Sequence, residues 1–242
     1  MLEQVDKEGL ETLNTLATAD NFNSWMFDTI RPFIKGKVLE VGSGIGNISG
    51  LLLNMGNPVW LSDFSIPYRE LLQKKFADHS HLSAVLDMDL EDPLFDEKFA
   101  SIVGSFDTVI ALNVIEHIKK DGQAVANCKK LLKPGGHFII LVPAYQLLYN
   151  RFDKELGHYR RYSKKAMQRL ISPHLSVMQC RYFNLAGIPG WFVSGSILRN
   201  KIIPARQMDI FNALVPVFRT MDKLFFYRLG LSVWSVSVKS DR

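Results

Sequence analysis

Five short apolar runs rich in β-formers, at 37–41, 58–63, 82–86, 106–112 and 137–142, recur with helical segments between them. That alternation specifies βαβ units and therefore a parallel sheet. Between the first two runs, Ile48, Leu51, Leu52 and Met55 recur at helical spacing, and Gly56 with Pro58 ends that helix. A second helix is predicted over 123–132, where Lys133, Pro134, Gly135 and Gly136 then turn the chain into the next strand. Beyond Val142 the rhythm changes. Residues 143–162 are long, aromatic and charged, and Ser163 is the expected N-cap of a further helix, with Tyr162 stapled to Met167. Two closing strands are expected at 176–183 and 231–238, and the residues 184–230 between them are far more than a hairpin needs. The expected architecture is α/β: a seven-stranded, mostly parallel sheet with helices on both faces, the last strand antiparallel, and a helical insertion between the last two strands. Residues 1–36 are expected to form a helical lid, 37–183 with 231–242 the core, and 184–230 a helical cap over a substrate site.

Composition narrows the partners. With 47% hydrophobic residues in 242, the chain can bury a sizeable core, which excludes a disordered or fibrous protein. Its net charge of +5 is unevenly spread: residues 1–150 hold 13 Lys+Arg against 19 Asp+Glu, and 151–242 hold 16 against 5. The two parts are expected to face different things. Cys128 and Cys180 have no ligand-spaced Cys or His beside them, so no metal and no disulfide framework is expected. The acidic start of the chain lacks an apolar run, which points to the cytoplasm. The apolar stretch 184–198 is broken by Gly187, Pro189, Gly190 and Gly195 and is shorter than the roughly 20 residues of a membrane span. Peripheral membrane contact through 184–230 is the expectation.

The sequence from Val38 through Gly46 is a buried strand running into a glycine turn. Gly42 permits the turn, Gly44 lets backbone approach a ligand, and Gly46 lets a helix pack close. A dinucleotide fingerprint needs a further glycine where Asn47 stands. The loop instead resembles the first motif of the class I methyltransferase family, an acidic residue (Glu40), any residue, then Gly-x-Gly-x-Gly. Asp63 ends the second strand, Asp89 and Leu90 follow the third with Asp87 as alternative, and Asn113 to Ile118 follow the fourth. Together these motifs cover roughly 38–142 in the family's order. The resemblance implies a Rossmann-like sheet that takes S-adenosyl-L-methionine and releases S-adenosyl-L-homocysteine. It places Glu40, Gly42, Ser43, Gly44, Asn47, Asp63, Phe64, Asp89, Leu90 and Asn113 at the cofactor. Asp63 is the expected ribose acceptor, Asp89 the adenine acceptor, and Asn113 the neighbour of the methionine part. A lid helix upstream would bring Phe22 or Trp25 to the cofactor or into the core.

Methyl transfer from a sulfonium needs alignment and water exclusion, and an acceptor hydroxyl or carbon acid needs a base as well. His117 and His158 are the candidate catalytic residues. Tyr145, Tyr149 and Arg160 are the candidate acceptor contacts, because aromatic rings beside an Arg fork suit an anionic or planar molecule. Residues 143–162 also resemble a bacterial methyltransferase subgroup often encountered beside cell-surface polysaccharide and lipid-carrier enzymes. Asn113-Val114-Ile115 lacks the Pro-Pro of amino-methylating DNA enzymes, and neither cysteine follows a proline, so no nucleic-acid partner is expected. A small-molecule or lipid-linked acceptor is expected instead. A nicotinamide-dependent oxidoreductase, disfavoured by Asn47, and a non-catalytic cofactor-binding scaffold are the competing readings.

Overall fold

The computed structural model describes residues 7–240, so Met1–Asp6 of the expected lid lie outside it. Seven strands form one sheet: β1 Val38–Val41, β2 Val59–Asp63, β3 Leu82–Asp87, β4 Phe106–Leu112, β5 Leu132–Pro143, β6 Ser176–Phe183 and β7 Ser232–Val238. Their order is β3-β2-β1-β4-β5-β7-β6. The first five strands run parallel, and β7 is antiparallel to both β5 and β6. Reversal at β1 and β4 puts a topological switch at the carboxyl ends of those strands, where open α/β sheets bind ligands.

Among the described residues, ten α-helices accompany the sheet: α1 Lys7–Ala17, α2 Asp20–Ile30, α3 Ser49–Leu53, α4 Ile66–Lys75, α5 Phe95–Lys98, α6 Asp121–Leu131, α7 Arg151–Glu155, α8 Lys164–Ile171, α9 Gly187–Phe192 and α10 Ala205–Leu224. Strand residues alternate between two cores, because successive side chains leave opposite faces of a sheet. Val109, Phe138 and Ile140 join α6 and α8 on one face through Val125, Cys128, Met167 and Ile171. Ile110, Ile139 and Leu141 join α2, α3 and α10 on the other through Trp25, Ile30, Leu52 and Val215. Trp25 is 4% exposed with its ring centroid 4.4 Å from that of Phe183, so this aromatic is core. Ser163 caps α8 by accepting from the Ala166 amide, and Tyr162 and Met167 are buried in one core.

One boundary differs from expectation. Lys133–Gly136 does not separate helix from strand but lies inside β5, as a register shift in its pairing with β4. Two contacts hold it there: Lys133 pairs with Asp107, and Gly135 and Gly136 exchange backbone bonds with Lys239 of the last segment. The insertion is helical, with α9, a π turn at Val193–Ile197 and α10. Asp222 near the end of α10 anchors it: its carboxylate accepts from the Asn184 and Leu185 amides at 2.7 and 2.9 Å. No helix among the described residues is long and apolar enough to cross a membrane.

Candidate active site

Two groups of residues meet near the carboxyl ends of β1, β2 and β4. The first is the glycine loop. Gly42 has φ +68°, and a Cβ there would lie 2.4 Å from Val114 Cγ2 on the turn after β4, so the loop closes only without a side chain. Asp63, 5% exposed, spans the loop and the next helix: Oδ2 accepts from the Gly44 amide and Oδ1 from the Ser65 amide, both at 2.9 Å. Each oxygen keeps a lone pair after one bond, so these contacts leave Asp63 able to accept from a further donor. Ser43 Oγ accepts from the Ser62 amide, fastening the loop to β2. Asn47 Nδ2 donates to Leu13 O of α1 at 3.0 Å, and the Leu13 side chain lies over Gly44. α1 therefore lies against this loop, while Trp25 of α2 packs in the core.

Glu40 is 4% exposed and its Oε2 accepts from Ser49 Oγ. Burial, only partly offset by the Ser49 and Ser43 hydroxyls, pushes its carboxyl from 4.5 up to about 7. A carboxyl raised on folding stabilises the protein below its unfolded value, and that contribution is lost as pH rises between the two values. Stability is expected to fall between pH 4.5 and about 7, with up to about 3 kcal/mol of the fall due to Glu40. Urea denaturation of the wild type and Glu40→Gln across that range checks this, and parallel curves would refute it.

The other cofactor candidates divide. Phe64 is 72% exposed on the rim beyond β2. Asp89 is exposed, with Oδ1 accepting from the Glu91 amide. Asp87, the alternative, is paired with Arg69. Leu90 is 3% exposed inside the core, its carbonyl held by Asn127 Nδ2. Asn113 is exposed in the left-handed region (φ 55°) at the end of β4, a backbone that Asn tolerates better than most residues.

The second group was only half legible in sequence. After Asn113, a 3₁₀ turn, Ile115–His117, sets Glu116 and His117 side by side. The His158 ring stands against that of His117, centroids 4.6 Å apart and edge to face. Asp153 holds His158 there. Asn150 and Asp153 form a capping box on α7, which leaves Asp153 Oδ1 to accept from His158 Nδ1 at 2.8 Å and Arg161 Nε at 2.7 Å. Burial opposes ionisation of Asp153, but His158 and Arg161 together hold its carboxyl below the usual range. Crowding by the chain, then His158, hold His117 below the usual imidazole range, so at neutral pH it is an uncharged ring with an open edge. Glu116 is fully buried, neither carboxylate oxygen has a hydrogen-bond partner, and burial pushes it up to about 8. Asp153 and Glu116 were not among the expected site residues. The signal available was the Glu-His doublet three residues after Asn113.

The expected acceptor contacts are largely engaged. Tyr149 Oη donates to the His158 carbonyl at 2.7 Å, Tyr145 stacks on Tyr182 with centroids 4.8 Å apart, and Arg160 is paired with Asp121 at 2.6 Å and with the Lys119 carbonyl. The Arg160 fork is thus partly committed to the start of α6, because Asp121 lies within its reach.

A methyltransferase-domain family model matches residues 39–138, from β1 into β5. Over these residues, fewer than half of the chain, the sequence is similar to methyltransferase domains. Among curated relatives, a polyketide synthase–nonribosomal peptide synthetase of Pyricularia grisea is 32% identical over 108 residues, covering 43% of this chain and 3% of the relative. The lovastatin diketide synthase of Aspergillus terreus is 31% identical over 113 residues, 44% of this chain and 4% of that one. The chain thus spans only a few per cent of the length of these relatives. Phosphoethanolamine N-methyltransferase 2 of Haemonchus contortus, solved with S-adenosyl-L-methionine, superposes with a TM-score of 0.58 at 15% identity, covering 91% of this chain and 53% of that one. A SAM-dependent methyltransferase of Archaeoglobus fulgidus superposes at 0.59 and 15% identity, covering 92% and 95%. These likenesses share the sheet found here. The residues present fit the methyltransferase-domain cofactor: a glycine turn with positive φ at Gly42, Gly44 and Gly46, with the Asp63 carboxylate on the Gly44 amide at its edge.

Proposed function

We propose that the chain transfers a methyl group to an anionic small-molecule or lipid-linked acceptor held between the end of β4 and residues 143–162. The observation that carries this reading is the adjacency of the cofactor loop and the Glu116–His117–His158 cluster, joined through the Val114 contact to Gly42. S-adenosyl-L-methionine supplies, when bound, a methyl group already activated on a sulfonium, so no covalent enzyme intermediate is needed. Asp63 accepts from the ribose hydroxyls while keeping the Gly44 amide. The Glu40 carboxylate attracts the cofactor's ammonium group. Asn113, fixed by its amide bond to the Leu141 carbonyl, lines the methionine end. α1 shields the loop from water through Leu13. His117 and His158 face the acceptor and serve the removal of its proton.

A lipid-linked acceptor is supported by the insertion. Phe192, Ile197, Leu198, Leu224, Phe225 and Phe226 are exposed in 184–230, and the same residues carry six Lys/Arg against two Asp. Apolar side chains beside basic ones suit an anionic membrane surface. In this reading 184–230 caps the acceptor site while touching the membrane, and the chain belongs with the bacterial subgroup that residues 143–162 resemble. The ketide synthases among the relatives make a carbon acceptor the competing class.

The test pairs calorimetry with labelling. S-adenosylhomocysteine is expected to bind and NAD(H) not to; the opposite pattern would overturn methyl transfer. With radiolabelled donor and a fractionated cell extract, label is expected in an anionic, organic-soluble product, and label confined to neutral water-soluble products would refute the lipid-linked acceptor.

A further inference from the structure

We propose that Glu116, His117 and His158 bind a divalent transition-metal cation of the zinc type at the mouth of β4. One ligand atom from each lies within 4.8 Å of the others. Nitrogen and oxygen ligands about 2.0–2.2 Å from a tetrahedral ion stand roughly 3.3–3.6 Å apart. Closing the set takes a movement of about 1.5 Å at most, which the exposed His117 side chain supplies by rotating.

Two independent features point to an occupant. Both Glu116 oxygens are buried without a hydrogen-bond partner, a costly arrangement for a carboxylate unless something binds it. The nearby Arg161 does not do so, since its Nε is given to Asp153 and its NH1 to the Ala144 carbonyl. His158, for its part, is already prepared as a ligand. Its Nδ1 donates to Asp153 Oδ1, which fixes the tautomer and leaves Nε2 with a lone pair; metal-binding histidines are commonly oriented by such a carboxylate. Tyr149 secures the His158 carbonyl, so the backbone that carries the ring is held as well.

Two imidazoles and one carboxylate select zinc or a neighbouring transition ion over calcium or magnesium, and three protein ligands leave a coordination position open. If the methyltransferase reading holds, that position takes an oxygen of the acceptor and lowers the pKa of its hydroxyl. The sequence expectation of no metal was drawn from the surroundings of Cys128 and Cys180, and His158 stands 41 residues beyond His117. Only the fold brings them together.

Metal-stripped protein titrated with zinc chloride is expected to bind one ion per chain, and the cobalt(II) form to show visible ligand-field absorption. His117→Ala and Glu116→Gln should each weaken zinc at least about 10-fold and bleach the cobalt spectrum. His79→Asn, in the half-buried His79–His81 pair, should change neither. Melting curves of the metal-free variants show whether each is folded, and His117→Ala, at an exposed position, is the decisive one. Zinc affinity equal to wild type in folded His117→Ala, or no stoichiometric binding by wild type, overturns the site. S-adenosylhomocysteine affinity measured on the same samples separates the two proposals. Zinc binding without S-adenosylhomocysteine binding sinks the methyltransferase reading alone, and the reverse sinks the metal site alone.

Discussion

Asp153→Ala is expected to cost the protein about 3–5 kcal/mol of folding stability, the scale for removing one partner of a buried ion pair. The Asp153 side chain is 0% exposed and that of Arg161 is 1% exposed. Without the carboxylate, the guanidinium remains buried with no counter-charge in contact and its NH1 still bound to the Ala144 carbonyl. The Asn150 amide loses its acceptor in the capping box, and His158 Nδ1 loses the oxygen that orients it. Most of the cost therefore comes from what is left unpaired, not from the lost attraction. Arg161→Met in the same chain should recover part of it, because a neutral side chain of similar length removes the stranded charge. Urea midpoints of the two single variants and the double variant measure this; a loss under about 1 kcal/mol for Asp153→Ala would mean that the network does not hold residues 143–162 in place.

The second large effect falls on binding. Asp63→Ala is expected to weaken S-adenosylhomocysteine by roughly 1–3 kcal/mol, or about 5- to 150-fold. The carboxylate is needed twice: as the acceptor proposed for ribose, and as the group that holds the Gly44 amide at 2.9 Å. Asp63→Asn retains a carbonyl oxygen for one of these partners and should fall between the two proteins. Calorimetry at fixed salt separates them, and an alanine variant that binds as wild type does would remove the ribose role.

Legibility differed between the two halves of the site. The cofactor loop is local: Glu40, Gly42, Gly44 and Gly46 stand at alternate positions of one strand–turn–helix unit, so their spacing alone carries the backbone conformation, and Gly42, Gly44 and Gly46 all have positive φ. An acidic turn after a strand does not reveal which neighbour points inward; packing of Leu90 into the core with Asn127 on its carbonyl decides it. Arg160 and Arg161 look equivalent in sequence, yet one reaches Asp121 near the surface and the other is buried on Asp153. Adjacent residues on an extended segment leave in opposite directions, and only the neighbours determine which side is core.

The alternation of apolar runs with helical segments was enough to determine the α/β class and the mostly parallel sheet, because strand and helix periods are properties of short segments. The register of Lys133–Gly136, the seating of α1 on the glycine loop and the meeting of Glu116 with His158 were decided by tertiary structure alone. Each depends on contacts between segments distant along the chain, such as Asn47 with Leu13 and Gly135 with Lys239. Burial strips water from such groups, so their partners, and their protonation, are set by whichever segments the sheet brings alongside.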